Sequence, residues 1–428
     1  MNRRLHKIIV ICLVFSVITS LLPGCQKRNN QDTLSSEEPV TISYSWWGND
    51  ARHMYTINGL DLFTEINPNM EVTPMYAQWN GYENRYRVCM MAQNEADVMM
   101  INYSWLDEYS QDGSGYYDLY EFSGFIDLSQ FSEDELSFGV KNGKLNAIPA
   151  AFNTCTYFYN RDIFDAYGLA LPKTWDDLFT SASAMSGDGI YVLGMPEKHL
   201  FFMLISYYEQ TTGRYAFNDD GSFAMTQEDV EDVLDFYYEL LDKHVIMPQN
   251  EWSRNSLSDK TAAGALCWIS DAEEYCSIIN SVGYAVIGDY IGVDETTVNS
   301  GLYIKPASMY AISQSSDNPA YSAMLVDFLL NNPDMAVLQG MDKGVPLSDS
   351  AYKALSDNMM LTGYAFEADK KMTDNRDIMR VMIPNMEDAD IIDAFVGYAK
   401  QYASGNITKE ESASAIVSEI NEIISAKE

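Results

Sequence analysis

The sequence predicts an α/β chain folded into two lobes, and three observations carry that reading. Short, nearly continuous apolar runs alternate with amphipathic stretches from Val40 onward, the mark of strands buried under helices on both faces. The rhythm restarts after about residue 150. The chain left after an export segment over 1–24 has 404 of the 428 residues, more than one hydrophobic core usually organises.

Taken in order, Val40 to Trp46 alternates as a strand, and Asn49 and Asp50 offer a cap to a helix from about Ala51 to Ile66. Asn67-Pro68 ends that helix, because the residue before proline is driven out of the helical region. Met70 to Tyr76 reads as a second strand, Tyr82 to Gln93 as a second helix and Asp97 to Ile101 as a third strand. This β-α-β-α-β order predicts a parallel sheet. The second round starts at the strand Thr156 to Tyr159, with similar segments at Ile190–Leu193, Ala265–Ile269 and Tyr284–Ile287. Thr174 with Asp177, Thr226 with Asp229 and Thr408 with Glu411 have capping-box spacing ahead of helices. The last helix runs from about Lys409 to Ala426.

The N-terminus is a separate matter. Arg3, Arg4 and Lys7 precede an apolar run, Ile8 to Leu22, too short for a comfortable bilayer span and suited to an export signal. The run closes on Leu22-Pro23-Gly24-Cys25, which resembles the lipobox of bacterial lipoproteins. That resemblance implies cleavage before Cys25 and lipidation of its thiol. Gln26 to Pro39 is polar and aperiodic, a tether spanning ~20 Å.

Charge and cysteine narrow the function classes. The sequence holds 62 acidic and 27 basic residues, and three of the basic ones lie in the signal, so the remainder carries a net −38. Such a surface repels nucleic acid and anionic lipid, which leaves membrane contact to the anchor alone. Cys89, Cys155, Cys267 and Cys276 have neither CxxC spacing nor a neighbouring histidine, so no metal site is expected. They read as buried thiols, with a Cys267–Cys276 bridge as the alternative. No HExxH, GxSxG, P-loop or GxGxxG occurs, so neither a catalytic residue nor a cofactor is predicted. "FNDDGSF" (Phe217–Phe223) lacks the EF-hand spacing and reads as a tight turn.

The aromatic residues are the positive signal. Trp47, Trp79, Trp105, Trp252 and Trp268 stand at expected strand ends or in polar loops, each close to Asn, Asp, Ser or Glu. Rings beside bidentate polar groups suit sugars, whose C–H faces stack while their hydroxyls need partners. Trp175, opening a helix in "LPKTWDDLF", is expected to pack instead. Within "SYSWWGND" the alternation of a strand puts Trp46 and Trp47 on opposite faces, Trp46 toward the core and Trp47 toward the cleft.

Several segments together resemble the extracellular solute-binding protein family 1, the sugar-binding lipoproteins of ABC importers related to maltose-binding protein. They are "TISYSWWGND" (Thr41–Asp50), "LFTEINPNMEV" (Leu62–Val72), "ADVMMINYSWL" (Ala96–Leu106), "IPAAFNTCTYFYNRDIFDAYGLALPKTWDDL" (Ile148–Leu178), "AAGALCWISD" (Ala262–Asp271) and the stretch from Lys305 to Pro346. "AGALCW" departs from the Gly-x-Ala-Met of many relatives. The resemblance implies a two-lobed periplasmic-binding-protein-like fold of type II, each lobe a sheet flanked by helices with the ligand cleft between them. It places the N-lobe at 40–149 plus about 305–344, and the C-lobe at 150–304 plus about 345–428. Its cleft positions fall on Trp46 or Trp47, Asn49, Trp79, Asn102, Trp105, Asn153, Trp268 and Asp271, beside which the aromatic pattern sets Trp252. The implied function is that of a monomeric, lipid-anchored receptor on the outer face of the cytoplasmic membrane. It would capture an oligosaccharide, uncharged by preference, and deliver it to a permease. A polyol or glycerophosphodiester is the alternative ligand, and a glycan-processing enzyme with paired carboxylates the alternative class.

Overall fold

The computed structural model describes residues 39–427. The expected signal, the lipidation site Cys25 and all of the tether but Pro39 lie outside the described residues.

The first lobe begins with β1 (Val40–Trp47), α1 (Asp50–Ile66), β2 (Met70–Ala77), α2 (Tyr82–Ala92), β3 (Val98–Ile101) and the short α3 (Trp105–Ser110). The Asn49 side chain accepts the Arg52 amide at 2.9 Å and so caps α1, as the sequence predicts. Then β4 (Ile148–Asn153) and β5 (Cys155–Asn160) follow each other with only Thr154 between them. The second lobe continues through α4 (Trp175–Met185), α5 (Glu197–Thr212), α6 (Gln227–Asp242), β6 (Gly264–Trp268), α7 (Ala272–Asn280) and β7 (Ala285–Ile287). The long β8 (Tyr303–Ile312) leads back, followed by α8 (Pro319–Asn331), α9 (Gly363–Asp374), β9 (Arg380–Val381), α10 (Ala389–Ala403) and α11 (Lys409–Ser425).

In the first sheet β1 lies between β2 and β3, parallel to both, as the β-α-β-α-β rhythm predicts. Beyond β3 the sheet turns mixed. β8 runs antiparallel to β3 and to β4, while its start pairs in parallel with β9. The second sheet corrects the parallel expectation: β5 pairs antiparallel with both β6 and β7. The predicted strand at Ile190–Leu193 is reduced to isolated parallel bridges, Tyr191 to Ala262 and Leu193 to Ile246. Strands buried on both faces read as continuous apolar runs whatever their direction, so the hydrophobic pattern carried no information about direction.

Two large cores lie one in each lobe, and a third cluster crosses between them, joining Met99 and Trp105 to Cys267 and Tyr275. Tyr44, Trp46, Phe63, Val98, Leu325 and Val326 pack beneath α1 and α8. Phe164, Leu178, Leu204, Leu234, Phe395 and Ile416 fill the space among α4, α5, α6, α10 and α11. All three capping boxes are complete, with Thr174, Thr226 and Thr408 each accepting the amide three residues on. "FNDDGSF" forms the tight turn expected of it: Phe217 and Phe223 bridge, and Asp220 accepts from the Ser222 amide and hydroxyl. The four cysteines among the described residues are free; Cys267 and Cys276 are buried thiols as expected and unbridged, while Cys89 and Cys155 are only half-buried. No helix among the described residues is long and apolar enough to cross a membrane.

The two sheets meet at Thr154. Its hydroxyl donates to the Tyr303 carbonyl at 2.6 Å, and its own carbonyl accepts the Ile269 amide at 2.9 Å, so three segments are tied at one residue. A fourth passes nearby. Leu347 donates to the Ala150 carbonyl, and Gly344 (φ +101°) approaches so closely that a Cβ there would lie 2.8 Å from Ala151 Cβ.

Tyr303 also donates its hydroxyl to Glu209, a fully buried carboxyl on α5 that accepts the Ala216 amide as well. Burial pushes Glu209 up to about 7, against these donors, which favour the ionised form. The folded protein therefore keeps a proton that the unfolded chain releases at about pH 4.3. That term of stability is fully present below about pH 4.3 and is lost as the pH rises to about 7. Glu209→Gln should flatten this fall, which denaturant titrations of both proteins at a series of pH values will read as a converging difference.

Candidate functional site

The C-terminal ends of parallel strands are where an open α/β sheet presents its ligand-facing loops, and the aromatic residues gather there. Trp47 is half-buried at the end of β1, with its ring 5.1 Å from Trp79, 5.7 Å from Tyr82 and 5.7 Å from Trp105. Trp79 and Trp105 lie nearly parallel at 9°, and Tyr86 stacks behind Trp105 at 4.1 Å. Trp79 is 45% exposed, whereas Trp105 has no exposed surface and serves as the wall behind the others. The Trp105 indole N–H has no acceptor among the described residues.

Trp46 requires a correction as a ligand contact. It is fully buried, stacked between Tyr44 (4.8 Å) and Tyr76 (4.9 Å), with its N–H donating to His53 Nδ1 at 3.2 Å. Pleating sends it to the α1 face and Trp47 to the cleft face. Trp105 is corrected for the same reason, since an enclosed ring offers nothing to stack upon. Trp252 is half-buried, and its ring fills the space over Gly194, where a Cβ would lie 2.5 Å from Trp252 Cε3.

A second group forms where the lobes join. Trp268 ends β6 half-buried, with His199 edge-on at 5.6 Å, Phe202 at 5.5 Å and the Lys305 ammonium 4.9 Å from its ring centre. Asn153, paired in register with Lys305, spends its amide on Ser270: it donates to the hydroxyl at 3.1 Å and accepts the amide at 3.3 Å. It positions the turn that carries Trp268 and Asp271. Asp271 is half-buried, and desolvation raises its pKa, partly offset by Arg254 and the Ser270 hydroxyl.

Between the two groups runs a strip of rings: Tyr103 to Phe138 at 6.2 Å, then Phe138 to Phe152 at 4.7 Å. Asn102 precedes Tyr103 half-buried, with no partner for its side-chain amide among the described residues. Arg376 from beyond α9 lies over both phenylalanines and pairs with Asp134 at 3.2 Å. Asn49 stays outside, exposed and committed to its helix cap.

Sequence reasoning missed the charges. Glu387, in the turn Pro384–Glu387, takes Lys305 at 2.5 Å and Lys198 at 3.1 Å. Burial alone pushes its carboxyl up, but the two lysines outweigh burial and hold it down at about 2. His199 is driven to about 3 by burial, with Lys198 pushing the same way, and neither ring nitrogen has a partner among the described residues. No local spacing could have revealed the cluster, because Lys305 and Lys198 stand 82 and 189 residues from Glu387.

The family model of the bacterial extracellular solute-binding proteins matches residues 60–374. A periplasmic solute-binding protein of Pectobacterium atrosepticum superposes with a TM-score of 0.83 at 28% identity, covering 91% of this chain and 99% of that one. A periplasmic oligogalacturonide-binding protein of Yersinia enterocolitica, solved with saturated digalacturonic acid, gives 0.82 at 26% identity over 90% and 99%. The melibiose/raffinose/stachyose-binding protein of Bacillus subtilis is 29% identical over 170 residues, 39% of this chain and 37% of that relative. The curated relatives are thus matched over less than half of their own length.

Removing one partner of a buried ion pair strands the other. Glu387→Gln is therefore expected to cost ~3–5 kcal/mol in urea denaturation at neutral pH. In the parent protein the same interaction is fully present above about pH 4.3 and is lost as the pH falls toward about 2. The gap between parent and variant should close along that range.

Proposed function

Because the chain belongs to the bacterial extracellular solute-binding proteins, we propose that it captures an oligosaccharide between its lobes and hands it to the permease of a carbohydrate ABC importer. The observation that carries this reading is Trp268, an indole left half-open while His199, Phe202 and Lys305 fix it in place. Across the ring strip stands Trp79, open and held by Trp47 and Trp105. Two fixed rings with Asn102, Ser270 and Asp271 at their edges suit a pyranose chain, with apolar faces to stack and hydroxyls to orient. The lobes hinge at Thr154, a few residues beyond the boundary at 149, and the lobe made of 40–149 with about 305–344 closes on the remainder. Cys25 anchors the receptor through lipid, with membrane contact through that anchor alone, and the receptor acts as a monomer.

One feature favours an uncharged glycan. The cations around the joint already have carboxylate partners: Lys198 and Lys305 with Glu387, Arg254 with Glu274, and Arg376 with Asp134. A second reading, an acidic oligosaccharide, follows the Yersinia relative and has one observation in its favour. Two lysines share the single Glu387, which leaves one positive charge at that point unmatched. The enzyme alternative gains nothing from Glu387, since a glycosidase needs a carboxylate free to act and Glu387 is bound on both oxygens.

A thermal-shift screen with melibiose, raffinose, stachyose and galacturonate oligomers tests the proposal. A cognate glycan should stabilise the protein by about 2.7 kcal/mol at a hundredfold excess over Kd. Trp79→Ala and Trp268→Ala should each weaken binding while leaving the circular dichroism unchanged, and unchanged affinity in both would remove these rings from the site. Sustained release of new reducing ends from a bound glycan would sink the receptor reading. Incorporation of labelled palmitate in a bacterial host should disappear in Cys25→Ser.

A further inference from the structure

We propose that Tyr76 is an outer sugar platform, so that the ligand site continues past the cleft onto the edge of the first sheet and selects longer oligosaccharides. The inference rests on the oligosaccharide reading above and names which members of that class bind best.

It starts from the half of the double tryptophan that the cleft does not use. Trp46 is fully buried, yet its stack does not end there. Tyr44, Trp46 and Tyr76 follow one another at 4.8 and 4.9 Å from the core outward, with interplanar angles of 22° and 29°. His53 closes on Tyr76 at 4.4 Å. The outermost ring is 41% exposed, and its hydroxyl has no partner among the described residues. A surface tyrosine would ordinarily be free to swing. This one is held by two rings beneath it, and a fixed exposed ring loses little conformational entropy when a ligand stacks on it.

The polar groups beside it fit the same ligand. His53 Nδ1 accepts the Trp46 N–H, so in the neutral ring the remaining proton sits on Nε2 as a donor. Gln78 and Asn80 are exposed on the segment that follows. β2 is the edge strand of its sheet among the described residues, so Tyr76 stands at the sheet's margin.

Continuity with the cleft decides for a glycan over a protein partner. Trp79 lies three residues on and belongs to the Trp47–Trp105 group. At most ~11 Å of backbone separates Tyr76 from Trp79. Pleating puts Tyr76 on the Trp46 face and leaves Trp79 on the Trp47 face, so the two open rings flank the strand ends from either side. On this proposal a chain seated against Trp79 passes around the strand ends to Tyr76, whereas a disaccharide stays in the cleft.

The test is calorimetric titration with melibiose, raffinose and stachyose, and with di-, tri- and tetragalacturonate. Affinity of the parent protein should rise along whichever series binds. Tyr76→Ala should lower affinity for the tetrasaccharide by about 3- to 10-fold, the value of one aromatic contact, and leave the disaccharide unchanged. Tyr76→Leu, which still covers Trp46, should show the same length-dependent loss and so separates stacking from folding. Equal affinities for short and long glycans in Tyr76→Ala and parent alike would overturn the outer platform while leaving the cleft reading intact. So would unchanged affinities together with lost uptake in cells, which would assign Tyr76 to the permease. If no member of either series binds the parent protein, the oligosaccharide reading falls first and this inference with it.

Discussion

Glu387 remains ionised inside the protein because two lysines from remote parts of the chain meet on it. Much of the candidate site depends on that meeting. Lys305 belongs to the strand that leads from the second sheet into the first, and Lys198 to the first turn of α5. Without them, a carboxylate at this depth would take up a proton, and both lysines would seek water. With them, Lys305 is fixed 4.9 Å from the centre of the Trp268 ring, and Asn153, its register partner, holds Ser270 beside it. The orientation of the main ring in the second lobe thus follows from an ion pair. An ion pair buried this far contributes less to net stability than its contacts suggest, because desolvation of three charges offsets most of the attraction. Its consequence is geometric.

The first lobe achieves the same end without charge. Trp47, Trp79, Trp105, Tyr82 and Tyr86 brace one another edge to face and face to face, arrangements that favour fixed ring angles. Both groups of the candidate site therefore present rings whose positions are held by their neighbours. For a flexible, hydroxyl-rich ligand this matters more than contact area, since ordering side chains on binding would consume ~0.5–1.5 kcal/mol each.

How much of this was legible follows from the range of each interaction. Caps were legible, because Asn49 with Arg52, Thr174 with Asp177 and Thr408 with Glu411 act within three residues. So was the division of Trp46 from Trp47, since pleating alone sends neighbours to opposite faces. Trp105 was misread because its polar setting, Asn102 to Asp107, describes the sequence around it and not the two tyrosines that enclose it. The contact of Trp252 with Gly194 was equally hidden, the two being far apart in the chain. The direction of β6 and β7 against β5 and the meeting at Glu387 had no local trace at all. Tyr76 sat in plain view as the end of a strand, and only its exposure on top of a buried stack sets it apart.

Charge shows why local pairing has to be separated from the total. The net charge of −35 over 428 residues speaks for solubility and for repulsion of polyanions at long range. It does not describe the joint between the lobes, where Lys198 and Lys305 share Glu387 while Arg254 pairs with Glu274 and Arg376 with Asp134. A neutral glycan is indifferent to the outer field and meets at the joint a set of oriented donors and acceptors. A uronate would meet the same repulsion that keeps nucleic acid away, and would then have to compete with Glu387 for its lysines. Screening reduces the first of these at physiological salt, where the Debye length is about 8 Å. The second is unaffected by salt, because Glu387 and Lys305 are both shut away from solvent. If the proposed glycan is uncharged, that preference rests on the Glu387–Lys305 pair more than on the charge of the surface.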